Sequence, residues 1–457
     1  MQKGEHAGSP LQDLVNRLVH YRILRHDAIS QTYTAHPLVR NHYFALFTKS
    51  GASQEKAAHE QIKEYYLSIA GDTPQYPTLD DLKPLIEVVH HACQAGAHDD
   101  AFKIYWDRIR QGEKRVTIHQ LGAYETELTL VQEFFPNSDT VQEPSVSEKG
   151  NRRFLVNAVG LCLMNLGRLR EAVPIYERKN EVYEKTSTGY RNLADLHASL
   201  GALEASAEAA QEAVTLAQKA ESKFNEKGNM GYLGWARHLK GQSELAGNIF
   251  IEAEKIEKEN DSSVKYLYSL NGIQHADHLR RTNQSEYARR VTEANLQICE
   301  QQHWANQISL CHRALGDLDA DADNHTSARA HYEFALKIAR GISVRSALIE
   351  ALLGRGRFYA KTSEFFKNSE VSQAFNNLNE ALTYAVEGGY RIYEADIRVA
   401  LAWAHLSPRP PSPAGKGVAE PGVRSAKAEA ERALQMSTEM GYYWGKLDAG
   451  EVLEKMK

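Results

Sequence analysis

Asn165-Leu166-Gly167-Arg168-Leu169 and Ser199-Leu200-Gly201-Ala202-Leu203 are one punctuation mark written twice, with the two glycines 34 residues apart. Each lies between stretches of helical periodicity, so each reads as the turn of a helical hairpin. Outward from these turns, small residues recur at fixed offsets. The first copy has Gly160, Gly167 and Ala172, with Tyr176 one turn further; the second has Ala194, Gly201, Ser206, Ala210 and Ala213. A third carries Gly234, Gly241, Ala246, Phe250 and Ala253, and a later one Gly316, Ala328, Tyr332 and Ala335. Packing explains the pattern. A small residue in each helix lets the two approach closely, and the aromatic fills the groove left between them. The turn residue takes a positive φ, which glycine tolerates. One hairpin cannot bury its apolar stripe alone, whereas stacked hairpins bury a continuous core.

The period and the pattern resemble the tetratricopeptide repeat. The expected fold is all-α: a tetratricopeptide-like helical-hairpin superhelix preceded by a partial winged-helix segment. A degenerate copy covers about 82–112, with Gln94-Ala95-Gly96 as its turn and Ala101 and Tyr105 behind it. Further copies fall at 269–302 and 347–388, the latter with an insertion at 362–371. A final copy, 392–440, is split by a Pro-rich loop at 407–425, and a helix at 442–456 caps the array. The prolines of Ser407-Pro-Arg-Pro-Pro-Ser-Pro forbid helix there. The expected domains are thus a partial winged-helix segment at 1–50, a helical linker at 51–150 and the repeat array at 151–457. Within the linker, one helix is expected at 118–134, followed by a polar loop.

Composition narrows the function classes. The chain has 457 residues, 42% hydrophobic and 25% charged, with a net charge of −5. No basic excess points to nucleic acid or a membrane surface. No run of about 18 apolar residues occurs, and Met1-Gln-Lys-Gly-Glu-His lacks a signal peptide's apolar core. A cytoplasmic protein is expected. Cys93, Cys162, Cys299 and Cys311 form no CxxC pair and read as partly buried, reduced thiols. His90 and His91 are neighbours on a helix, so their rings diverge and share no metal. Asp317, Asp319, Asp321 and Asp323 alternate, but an EF-hand needs Gly and Glu where Ala322 and Ala328 stand; they read as a solvated helix end. No local motif marks a catalytic set. Neither catalysis, cofactor nor metal is expected.

The first fifty residues depart from the repeat. Leu11, Leu14, Val15 and Leu18 make an amphipathic helix, Tyr21–Arg25 and Gln31–Tyr33 two short strands, and Pro37 opens a helix through Phe47. Tyr33-Thr34-Ala35-His36-Pro37-Leu38-Val39-Arg40 resembles the winged-helix segment of STAND-class NTPases of the NB-ARC and NACHT type. In that family a histidine of a Met-His-Asp-like motif contacts bound ADP. The resemblance places His36 there, with Ala35 and Pro37 replacing the Met and the Asp. The alternative reading of His36 is a cap on the helix start. The chain holds no GxxxxGK[ST] phosphate loop.

Val89–Gly96, Ile104–Ile109, Leu121–Tyr124, Phe154–Asn157 and Leu267–Gly272 resemble the repeat arm of bacterial STAND proteins. The resemblance implies a ligand-sensing arm without its NTPase core, and an NTPase switch domain, in cis or in trans, as a partner. A fragment, a split subunit and a complete product all remain open.

In this repeat class the first helix of each hairpin lines the concave face. Registering on the small residues picks out Asn157, Asn165, Arg191, Asp195, Trp235 and His238. Later registers pick out Asp277, Arg280, Arg281, Arg313 and Asp317. These are the candidate contacts for a protein or peptide ligand in the groove, with Trp and Arg as natural hot spots. A merely solvated inner face is the competing reading for each. The function expected is a protein–protein interaction module. The alternatives are a free-standing scaffold working with a transcription regulator, and an enzyme with an unrecognised site.

Overall fold

The small residues of the 34-residue pattern lie where helices touch. In the computed structural model, described over 10–28, 32–48, 51–183, 185–362, 368–406 and 421–457, a Cβ placed on Gly160 would come within 2.7 Å of the Tyr176 ring. One placed on Gly234 would come within 3.1 Å of the Phe250 ring, and one on Gly316 within 2.9 Å of the Tyr332 ring. The glycine and the aromatic sixteen positions later are therefore one packing unit, repeated along the chain.

Contacts divide the chain into two units, 1–71 with 84–101 and 72–83 with 102–457. The first holds α1 (Pro10–His20), β1 (Leu24–Asp27), β2 (Thr32–Ala35), α2 (Pro37–Thr48) and α3 (Ala52–Ile69). The strands pair antiparallel, Leu24 opposite Ala35. β1 begins three residues later than the sequence suggests. The amides of Tyr21 and Arg22 still close the end of α1 on Arg17 and Val19, and Arg22 takes a φ of 59° before the strand starts. Two helices, α4 (Leu79–Ala95) and α5 (His98–Ile104), run through the region where the units alternate.

In the second unit the expected helix at 118–134 is shorter than predicted. A π-turn, Val116–Gln120, comes first, and Gly122 at φ +59° breaks the helix before α6 (Tyr124–Gln132) begins. Seven hairpins follow: α7 (Lys149–Asn165) with α8 (Leu169–Val182), α9 (Ser187–Ser199) with α10 (Leu203–Lys219), and α11 (Lys223–Leu239) with α12 (Ser243–Asn260). Then come α13 (Ser269–Arg281) with α14 (Ser285–Gln301), α15 (Ala305–Asp321) with α16 (His325–Gly341), and α17 (Arg345–Lys361) with α18 (Asn368–Gly388). The last pair is α19 (Arg391–Leu406) with α20 (Pro421–Met440), and α21 (Tyr443–Lys455) closes the series. The fold is a tetratricopeptide-like array of helical hairpins. Of the Pro-rich loop 407–425 and the insertion 362–371, residues 407–420 and 363–367 lie outside the described residues.

Within this unit the array curls until its ends meet. α9 touches α19, and the turns of the early hairpins dock on the late ones. Gly167 (φ +80°) and Gly201 (φ +76°) are left-handed, and each has a late side chain where a Cβ would be: Arg345 at 2.8 Å for Gly167, Met440 for Gly201. Gly241 packs in the same way on Tyr443. Hydrogen bonds cross the seam. Ser343 N–H donates to the Gly122 carbonyl at 2.9 Å, Tyr390 Oη to the Met164 carbonyl at 3.0 Å, and Trp444 Nε1 to the His238 carbonyl at 3.0 Å.

Two sequence readings change in this frame. Of the aspartates before Asn324, Asp321 and Asp323 are exposed at the helix end, but Asp317 and Asp319 are buried inside α15. Each has cationic partners from neighbouring helices, Arg357 for Asp317 and Arg289 for Asp319. The four cysteines are fully buried rather than partly so.

Candidate functional site

Curling the array brings the first helices of its hairpins around a central cavity of about 800 Å³. Residues of α7, α9, α11, α13, α15, α17, α19 and α21 line it. Among the described residues, nine carboxylates stand on its wall against five Arg or Lys groups.

Ion pairs organise one side. Arg313 makes a bidentate pair with Asp277, 2.7 Å at both nitrogens, and reaches Asp317 at 3.1 Å and Glu350 at 3.0 Å. Asp317 also receives Arg357 at 2.7 Å and the Tyr332 hydroxyl at 2.6 Å. Burial opposes its charge, but Arg357, Arg280 and Arg313 outweigh that and hold the carboxyl far below the usual range. Tyr393 donates to Glu350 at 2.5 Å. The planar guanidinium serves several carboxylates at once, as a lysine could not.

The other side carries aromatic rings. Arg281 lies over the Trp444 ring at 4.5 Å and pairs with Asp448 at 2.8 Å. Trp235 stacks on His238 at 5.0 Å, and Trp403 completes this wall. Burial keeps the His238 imidazole well below its ordinary value, with His278, 3.2 Å away, adding to the effect. Asp396 accepts from the Tyr442 hydroxyl at 3.3 Å. Burial, and after it the neighbouring Asp448, raise its carboxyl to about 7. Burial likewise raises Asp195 to about 6. Neither Asp195 nor Asp396 forms an ion pair among the described residues.

Nine of the eleven concave-face positions chosen from sequence line this cavity: Asn165, Asp195, Trp235, His238, Asp277, Arg280, Arg281, Arg313 and Asp317. Asn157 and Arg191 do not. Asn157 accepts a hydrogen bond from Asn192 at 3.1 Å, tying α7 to α9, and the Arg191 guanidinium lies against Gly228 of α11. Both are used between adjacent repeats. His36, in the first unit, is exposed and accepts the Leu38 amide on its Nδ1 at 3.3 Å, which is the contact of a helix cap. His91 has its Nδ1 2.7 Å from that of His59.

Sequence registering missed Gln274, Glu350, Arg357, Lys361, Tyr393, Asp396, Trp403 and Trp444, all on the wall. A usable signal existed. Treating Gly356 and Ala395 as the small residues of α17 and α19 puts Arg357 and Asp396 immediately after them. Asp195, Asp277 and Asp317 have that same position, after Ala194, Ala276 and Gly316.

No protein-family model matches the chain, and no curated protein matches it. Solved structures of low identity do. Against the Cut9–Hcn1 hetero-tetramer of the APC/C, identity is 10% and the TM-score 0.47, covering 88% of this chain and 68% of that one. A STAND protein with a tetratricopeptide repeat sensor from Pyrococcus horikoshii gives 11% and 0.38, over 99% of this chain and 58% of that one. The Rap conjugation gene regulator of plasmid pLS20, in complex with the Phr* peptide, gives 12% and 0.45, over 84% and 96%. The case for a site rests on the cavity itself. Among the described residues, no helix is long and apolar enough to cross a membrane.

Proposed function

We propose that the second unit is a ligand-binding module, rather than an enzyme, and that it encloses a peptide segment or a similarly small polar ligand in the central cavity. The observation that carries this reading is the ring of inward polar and aromatic side chains around about 800 Å³, a volume within the range of sites for small ligands. Many of its charged groups are already held by partners, as a preorganised recognition surface requires. The test uses a plug. Ser346 lines the cavity at the start of α17 and forms no ion pair itself, and Ser346→Trp fills space. Purified wild-type protein exposed to host peptide and metabolite extract retains a species visible by native mass spectrometry. The plugged protein loses it while its helical circular dichroism is unchanged. Equal retention by both proteins removes the cavity as the site.

A second reading concerns the first unit. Its helix, hairpin, helix order favours a winged-helix segment of the STAND type, and hence a sensor arm that biases a switch NTPase by differential affinity. An in-frame phosphate-loop motif in the DNA upstream, or in an adjoining gene, supports it. Neighbouring genes without one count against it.

A further inference from the structure

We infer that the cavity is built for a ligand carrying a positive charge, a primary amine or a guanidinium, seated on Asp396 beside Trp444. The inference rests on the cavity reading above and names the chemistry of its occupant.

The first observation is the charge balance of the wall, among the described residues nine carboxylates against five Arg or Lys groups. Burying a carboxylate without a counter-charge is costly. The excess is also placed systematically. Asp195, Asp277, Asp317 and Asp396 each follow the small residue of their helix, so they form one column running around the inner face. Asp277 and Asp317 are neutralised by Arg313 and Arg357. Asp195 and Asp396 form no ion pair among the described residues, although Arg191 acts on the first and Arg357 and Arg281 on the second, and their helices, α9 and α19, touch each other. The two members of the column outside any ion pair thus lie on helices that meet at the seam.

The second observation is independent of charge. Gln274, on α13, is 4% exposed and lines the cavity, yet its Oε1 has no hydrogen-bond partner among the described residues. Asn306 lines the same cavity with an unpartnered Oδ1. A buried amide oxygen left without a donor costs on the order of 1–3 kcal/mol. An ammonium or guanidinium offers several N–H donors and no acceptor, the complement of carboxylates and bare amide oxygens together. The third is the ring beside Asp396. Trp444 already holds one guanidinium, Arg281, on its face, and Trp235 and Trp403 line the same wall. Aromatic faces with adjacent carboxylates recognise organic cations.

The groups facing Asp396 are Asp448 on α21, Arg357 on α17, Arg281 on α13 and the Tyr442 hydroxyl. The two arginines are engaged elsewhere, with Asp317 and Asp448. A cation arriving on Asp396 therefore gains a carboxylate without breaking an existing pair. Because burial favours the protonated carboxyl, affinity for the cation should rise as pH increases from 6 to 8.

The probes are blocked tripeptides: acetyl-Gly-Arg-Gly-amide, acetyl-Gly-Lys-Gly-amide, and the same peptide with Gln or Glu at its centre. Binding to the full chain is read by tryptophan fluorescence and calorimetry. The Arg or Lys peptide should bind at least ten-fold more tightly than the Gln peptide, with the Glu peptide weaker still. Asp396→Asn should erase that discrimination, while Glu208→Gln, exposed on α10 and outside the cavity, leaves it intact. Equal affinity for Arg, Lys and Gln peptides overturns the inference, as does discrimination that survives Asp396→Asn, or no binding of either cationic peptide at millimolar concentration. Ser346→Trp separates this failure from that of the cavity reading. If a neutral or acidic peptide binds and the plug abolishes it, the cavity stands and the cation falls. If binding survives the plug, the cavity itself falls.

Discussion

The Trp444 indole N–H reaches the backbone carbonyl of His238 at 3.0 Å, although 206 residues separate them in sequence. This bond joins the last helix of the array to the end of α11. It lies beside the packing of Tyr443 on Gly241 and above the Arg281 guanidinium. A helical array is ordinarily held by nearest-neighbour contacts alone. Here the seam adds a long-range restraint, and the cavity owes its enclosure to it.

Removing the indole should loosen the ring more than it unfolds the hairpins. Trp444→Ala gives up a half-buried ring, a hydrogen bond and a cation–π contact, together on the order of 2–4 kcal/mol. Hydrogen exchange should quicken in α21 and at the end of α11, with α13–α16 protected as before. Uniform loss of protection across all helices contradicts a separable seam.

The repeat packing makes opposite predictions for two glycines. In Gly316→Ala the new methyl meets Tyr332, whose hydroxyl is fixed on Asp317 at 2.6 Å and cannot yield. Overpacking of this kind costs about 1–3 kcal/mol and outweighs the helix-propensity gain. Gly450, in α21, has nothing within 4 Å of an added Cβ, so Gly450→Ala should stabilise by about 0.5–1 kcal/mol. Chemical denaturation of the pair measures both signs. A stabilised Gly316→Ala would refute the groove-filling role of the aromatic.

These glycines also show why the hairpins were legible and the ring was not. Gly160 with Tyr176 and Gly316 with Tyr332 are local pairs, fixed by helix geometry, so sequence spacing reports them directly. The same spacing gave the register of the inner face, which is why Asp195, Trp235 and Arg313 were placed on the wall that became the cavity. Gly241 with Tyr443 and Met164 with Tyr390 obey no period, because they depend on curvature summed over seven hairpins. Asp317 was misread for a related reason. Alternating aspartates look solvated until Arg357, forty residues on, is brought to one of them. Gly122 broke a helix that apolar periodicity alone would have continued.

Acid should destabilise the fold well above the carboxylate range. Burial lowers His278 and His312 to about 4 and His119 to about 3, with His275, His331 and Arg115 respectively adding to it. The unfolded chain takes up these protons first, near pH 6.5. Stability is therefore fully present above 6.5 and falls as pH drops towards 4, by roughly 2–3 kcal/mol for each histidine. Asp195 and Asp396, raised to about 6 and about 7, work the other way and gain stability as they protonate. The histidines are more numerous, so the melting temperature should fall between pH 7 and pH 4.5. A flat profile over that interval would show that these rings are not buried neutral. His312→Gln should recover part of the loss.

Two aspartates of the same inner column should respond oppositely to loss of charge. Asp317 is held ionised by Arg313 and Arg357, and Asp317→Asn strands both guanidinium groups in a buried network, costing about 3–5 kcal/mol. Asp396 has no cationic partner among the described residues, and burial penalises its charge. Its raised pKa means that ionisation subtracts stability above pH 7, and that this loss disappears as pH falls through 7 towards the unfolded value. Asp396→Asn should then stabilise the protein by about 2 kcal/mol at pH 8 and change little at pH 5. Melting curves of both variants at the two pH values decide the matter. A carboxylate whose removal strengthens the fold yet abolishes selection among tripeptides is one kept for its ligand. If Asp396→Asn instead weakens the fold at pH 8, that aspartate belongs to the structural network with Asp317.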